Sequence, residues 1–124
     1  MPYIDGFVVP VPSDTRDGYA AYAKSWWPKF QSYGALSTME AWGDDVPDGK
    51  LTDFRRAVDA QPGETVVFSW IIWPDKATRD AAMAAMMNDP DFAESMGAMP
   101  FDGKRMIYGG FTPIFSVDTT EGAA

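Results

Sequence analysis

The chain has 124 residues, 46% hydrophobic and 15% aromatic, and its 18 acidic against 10 basic side chains leave a net charge of −8 at pH 7. Such a length and apolar content specify one domain that buries roughly two thirds of its unfolded surface, and they exclude disorder for its body. Cysteine and histidine are both absent, which excludes disulfides, thiol nucleophiles, imidazole-ligated haem and the serine–histidine pairing, while the acidic surplus disfavours nucleic acid and anionic membranes.

The opening MPYIDGFVV runs straight into a strand pattern, without a basic leader or an apolar signal helix, so a cytoplasmic protein is expected. No apolar run approaches the ~20 residues needed to span a bilayer. Residues 3–11 read as strand one, bounded by Pro10 and Pro12. Asp5 shares a face there with Tyr3, Phe7 and Val9, so its carboxylate lies either at an edge or buried and paired.

A helix is predicted next, capped by Ser13 or Asp14 and stopped at Gly34. Tyr19, Tyr22, Ala23, Trp26, Trp27, Phe30 and Tyr33 make one stripe along it. Pro28 interrupts that helix at a cost of about 3 kcal/mol. It produces either a kink that wraps the helix round a twisted sheet or a gap through which a ligand enters.

Residues 36–42 form strand two, with Leu36, Thr38, Glu40 and Trp42 on one face and Met39 and Ala41 on the other. The turn-rich WGDDVPDGK that follows superficially resembles a calcium loop, but Arg55 stands where the closing carboxylate belongs. No metal site is expected there; the aspartates solvate a loop and bond its amides. Thr52 is positioned to cap a short helix anchored by Phe54 and Val58, a covering or interface element.

Residues 64–73, ETVVFSWIIW, are apolar on both alternating faces and must be covered on two sides. Asp75 caps a second long helix over residues 76–88, stopped by Asp89-Pro90. Ala77, Ala81, Ala84 and Ala85 suggest a close approach to the sheet, and Met83, Met86 and Met87 an adaptable filling. Residues 90–96 add a turn of helix before a loop through Gly97 and Pro100. The last strand is predicted over 105–117, with Gly109-Gly110 marking a bulge or a close backbone approach, and 118–124 is a polar tail.

The order βαββαβ specifies an α+β ferredoxin-like sandwich, one antiparallel four-stranded sheet with two helices on one face. Because the central strand is apolar on the other face too, two sheets are expected to pack together in a homodimer, a dimeric α/β barrel.

The stretches MPYIDGFVVPVP, WGDDVPDGKLTDF, GETVVFSWIIWP and MPFDGKRMIYGGF resemble the YbaA-like small bacterial proteins, domain-of-unknown-function family 1428. The resemblance covers nearly the whole chain and implies the dimeric α/β-barrel fold, but no catalytic residue. The wider superfamily is similar in fold to cofactor-independent quinol monooxygenases, lactone isomerases and haem-dependent enzymes; the last rely on histidine, which this chain lacks.

Two functions follow. In the first, a small apolar or aromatic molecule binds between sheet and helices, walled by tryptophans among which Trp42 and Trp70 are the chosen substrate-binding residues. Asp5, Arg105 and Tyr108 are the polar candidates, because they interrupt apolar strands. Asp5 and Arg105 are expected to form a structural ion pair, or else to act as general base and anion anchor in cofactor-independent oxygenation or isomerisation. No cofactor is implied. In the second, the aromatic surface belongs to a non-catalytic dimeric interaction module. A ligand site requires a cavity of ~300–1,000 Å³ with convergent polar groups, which a purely structural role would fill.

Overall fold

Alternating apolar residues build the two long strands, β1 (Tyr3–Pro12) and β3 (Glu64–Trp73), that pair antiparallel at the centre of the sheet in the computed structural model, which describes residues 1–96 and 99–118. β2 (Ser37–Trp42) flanks β3 and β4 (Ile107–Phe111) flanks β1, so the antiparallel order is β2-β3-β1-β4. This is the ferredoxin-like arrangement expected from the element order.

The two long helices lie on one face. α1 (Arg16–Ser32) starts after a 3-10 turn at Ser13–Thr15, and neither Ser13 nor Asp14 caps it; the Ser13 hydroxyl bonds Thr65 instead. α1 runs through Pro28 as one element and ends at Gly34, whose φ of +104° suits glycine. α3 (Lys76–Met87) is capped by Asp75, which accepts from the Thr78 amide as predicted. Its buried side is Ala82 and Met86, while Ala77, Ala81 and Ala84 face outward, correcting the expectation of an alanine contact face. A methionine four residues from a small residue buries more apolar surface than alanines alone.

α2 (Phe54–Ala57) is capped by Asp53 rather than Thr52, and α4 (Pro90–Met96) extends the helical layer. Asp53 also accepts from the Gly49 amide, and Arg56 donates to the Gly49 and Lys50 carbonyls, so this pair shapes the end of the aspartate-rich loop. Two apolar clusters fill the space under the helices, one around Trp73, Tyr3 and Met86 and one around Val9, Val11, Tyr19 and Val67.

β4 is much shorter than the expected 105–117. The chain leaves the sheet after Phe111, where Pro113 has no N–H to continue a ladder. The β1–β4 register is regular through Gly109 and Gly110, so the glycine pair is not a bulge. It is a close approach: a Cβ on Gly110 would stand 2.3 Å from the Tyr3 hydroxyl and 2.7 Å from an Arg79 nitrogen. Beyond Asp118 the expected tail lies outside the described residues, as does Gly97. Among the described residues no helix is long and apolar enough to cross a membrane.

Candidate functional site

The stripe on α1 does not close down completely on the sheet. Between them lies a cavity of about 450 Å³, floored by Phe7 and Val9 of β1 and by Ser69 and Ile71 of β3. Tyr19, Tyr22, Ala23, Trp26, Trp27 and Phe30 of α1 roof it, and Phe92 of α4 and Phe101 close its ends. The aromatic rings brace one another edge to face: Trp26 with Phe92 at 5.5 Å between centroids, and Tyr22 with Phe101 at 6.1 Å.

Lys24, Thr38, Ser69 and a hydrogen-bonded pair, Tyr19 and Glu40, interrupt this apolar lining. The buried Tyr19 hydroxyl donates to Glu40 Oε1, and Glu40 faces Ser69 across the β2–β3 ladder. As a residue Glu40 is exposed, because β2 is an edge strand, but its carboxyl end reaches into the cavity wall. Desolvation there pushes the Glu40 pKa above the usual glutamate value, against the hydrogen bonds from Tyr19 and Ser69 that favour the ionised form. Burial, and then the Glu40 charge, pushes the Tyr19 hydroxyl far above the ordinary tyrosine value. A carboxylate raised in this way accepts a proton more readily, which suits it to a ligand hydroxyl.

That shift has a testable sign. The folded Glu40 pKa lies above the unfolded one, so between the two the native state holds more protons and stability falls as pH rises. Glu40→Gln keeps an acceptor for Tyr19 without the charge. The variant is expected to match the parent at pH ~4 and to gain on it in urea midpoint as pH rises towards ~8. A parent that gained on the variant as pH rose would contradict the assignment.

The residues singled out from sequence do not converge. Asp5 is 3% exposed and accepts from the Trp73 indole at 2.9 Å and from Arg79 Nε and Nη2 at 3.1 and 2.9 Å. The Arg79 guanidinium lies 5.2 Å from the centre of the Tyr3 ring, and its hydrogen bonds to Asp5 lead the causes that raise its pKa still further. Arg105 instead forms a two-pronged pair with Glu64, both at 2.7 Å, and a further bond to Asp102 at 3.0 Å. The Arg105 hydrogen bond is the chief cause that lowers the Glu64 pKa to about 2.

The expected Asp5–Arg105 pair is therefore absent. Strands one and four are neighbours as predicted, but their register sets Gly110 opposite Asp5, and Arg105 lies before β4 begins. Tyr108, opposite Phe7, is 74% exposed on the edge strand. Trp42 packs under the helices against Tyr19, at 6.4 Å between ring centroids, whereas Trp70 is on the other face of the sheet beside Phe68. The two tryptophans share no pocket.

Glu40 and Tyr19 were the residues passed over. Their signal was an acidic side chain on the same face of strand two as Trp42, and a tyrosine at the first position of the α1 stripe.

A second hollow, about 580 Å³, lies on the sheet face away from the helices, lined by Ile4, Val8, Phe68, Trp70, Ile72 and residues of β4. Phe68 is 44% exposed there and Phe111 61%. Phe54 comes edge-on to Phe68 at 6.3 Å, so α2 borders the hollow. Among the described residues no cluster of three or more acidic side chains is arranged to hold a metal ion.

Residues 2–103 match the family model described as "Protein of unknown function (DUF1428)". The chain is 57% identical over 114 residues to the uncharacterized protein YbaA of Escherichia coli K12, covering 92% of this chain and 97% of the relative, and equally to YbaA of Shigella flexneri. Solved structures of similar fold include SnoaB, a cofactor-independent oxygenase from Streptomyces nogalater, with a TM-score of 0.57, 15% identity and 95% and 98% of the two chains covered. The monooxygenase of the ActVA-Orf6 gene of Streptomyces coelicolor, solved with nanaomycin D, gives a TM-score of 0.59 at 13% identity over 94% of this chain and 91% of that one. A dimeric ferredoxin-like protein from an uncultured marine organism gives 0.56 at 14% identity, covering 94% of this chain and all of the other (100%).

Proposed function

The chain belongs to the DUF1428 family of proteins of unknown function, so its role rests on its own geometry, and we propose that it binds a small apolar or aromatic molecule between α1 and the sheet. The observation that carries this is the cavity of about 450 Å³ that remains among packed aromatic rings and has a few polar side chains in its wall, the hydrogen-bonded Tyr19 and Glu40 among them, with Lys24, Thr38 and Ser69. Apolar walls with a few converging polar groups are the usual form of a small-molecule site. Trp42 holds the Tyr19 ring from below and so fixes the polar end of the site.

The raised Glu40 pKa favours a reactive version of the same site. A ligand hydroxyl delivers its proton to the Glu40 carboxylate, leaving an electron-rich phenolate or enolate that either combines at carbon with molecular oxygen or takes the proton back at carbon. In the first case one oxygen atom stays as a carbonyl and the other leaves as water, with the hydrogen of that carbon and the proton held by Glu40. Two of the similar structures are described as oxygenases, one of them cofactor-independent, in keeping with that chemistry. The open sheet face, apolar around Phe68, Trp70 and Phe111, is the surface through which two copies pair, an arrangement supported by the neighbour described as dimeric.

Titration with 1-naphthol, followed by quenching of tryptophan fluorescence, tests the binding site. Saturable binding at one molecule per chain is expected, and Tyr19→Phe should weaken it about tenfold through the loss of one hydrogen-bonding group. Absence of saturable binding would overturn the reading and favour the non-catalytic interaction module.

A further inference from the structure

After Phe111 the chain continues as Thr-Pro-Ile-Phe-Ser-Val, outside any strand or helix. Ile114 is 99% exposed, Phe115 83% and Val117 67%. Large apolar side chains in such a run mark a surface that is covered in the working state of the molecule. They follow directly on Phe111, which lines the hollow on the open sheet face.

We infer that residues 112–117 form an arm that lies across the open sheet face of a second copy of the chain, with Ile114 and Phe115 entering the hollow bordered by Phe68, Trp70 and Phe111. This rests on the reading that the sheet face is the dimer interface, and it adds that each copy completes the other's.

Three observations select a second copy as the occupant. In a twofold pair through this face the same surface appears on both sides, so each copy brings a hollow of about 580 Å³ that close packing requires to be filled. The arm supplies apolar side chains to fill it. Reach suffices: six extended residues span about 20 Å, more than the ~15 Å width of four strands. Charge also fits. Residues 111–117 carry no ionisable side chain, and the hollow is lined by none except the Tyr108 phenol, so this contact adds no repulsion between two chains of net charge −8.

The absence of cysteine makes a direct test simple. A spin label on Ser116→Cys, which leaves Ile114 and Phe115 intact, is placed in one copy and mixed with isotope-labelled parent chain. Broadening of the labelled copy's amides at residues 68–72 and 107–111 is expected. Broadening confined to 37–42 would mean that the arm pairs along the β2 edge, and would overturn the placement. A dimer without any broadening between copies would overturn the arm and leave the dimer intact. A monomer in sedimentation would overturn both. As a second measure, a chain ending at Thr112 is expected to dimerise roughly a hundredfold more weakly, with an unchanged helical signal; an unchanged dimerisation constant would contradict the arm.

Discussion

Asp5→Ala is expected to lower stability by about 3 kcal/mol, near the lower end of the ~3–5 kcal/mol typical when one partner of a buried ion pair is removed. The carboxylate is 3% exposed and receives three groups, the Trp73 indole N–H and two Arg79 nitrogens. Alanine leaves the indole donor of a fully buried tryptophan and a charged guanidinium without their acceptor. The lower end applies because the Arg79 side chain keeps 21% of its surface in water and also bonds Asp80, so part of its charge is resolvated. At this chain length the loss corresponds to a fall in Tm of roughly 10 °C.

Asp5→Asn retains an acceptor for Trp73 and should cost less, so the difference between the two variants isolates the charge. Replacing both partners, Asp5→Leu with Arg79→Met, should recover much of the loss, as apolar substitutes for a buried pair commonly do. Urea unfolding read by tryptophan fluorescence measures all three. Wild-type stability in Asp5→Ala would contradict the role of Asp5 as a structural clamp and reopen it as a free acid.

The second large effect is expected from Ala23→Trp. Ala23 lies on the cavity side of α1, and the neighbouring Tyr19, Trp26 and Trp27 already occupy the space beside it, so an added indole has the cavity to enter. Binding of 1-naphthol should fall by at least about a hundredfold, the equivalent of roughly 3 kcal/mol, while the far-ultraviolet dichroism stays that of the parent. Retained affinity in a folded Ala23→Trp protein would place the ligand elsewhere.

Most of the fold was legible in the sequence because its main elements carry unambiguous signals. ETVVFSWIIW, a β-branched and aromatic run apolar on both faces, became β3 with the predicted limits, and Gly34 and Asp75 ended and began helices where expected. β4 was overextended because its apolar alternation continues past Phe111, although Pro113 marks where the ladder fails. The site was less legible because its parts meet only through tertiary packing. The partner of Asp5 is Arg79, on a helix 74 residues away, and no local pattern links them. Trp42 pairs with Val67, three residues before Trp70, so the register itself sets the two tryptophans on opposite faces of the sheet. Glu40 escaped notice because an acidic residue on an edge strand looks like a solvated one, and only the position of Tyr19 on α1 gives it a buried donor.

Native mass spectrometry of the unmodified chain with excess 1-naphthol tests the central claim most directly, since it weighs the assembly and its cargo together. The expected species has twice the 13.7 kDa mass of the chain plus two naphthol molecules. A dimer that stays free of naphthol at saturating concentration would contradict the small-molecule site, and a monomer would contradict the pairing of the two sheet faces.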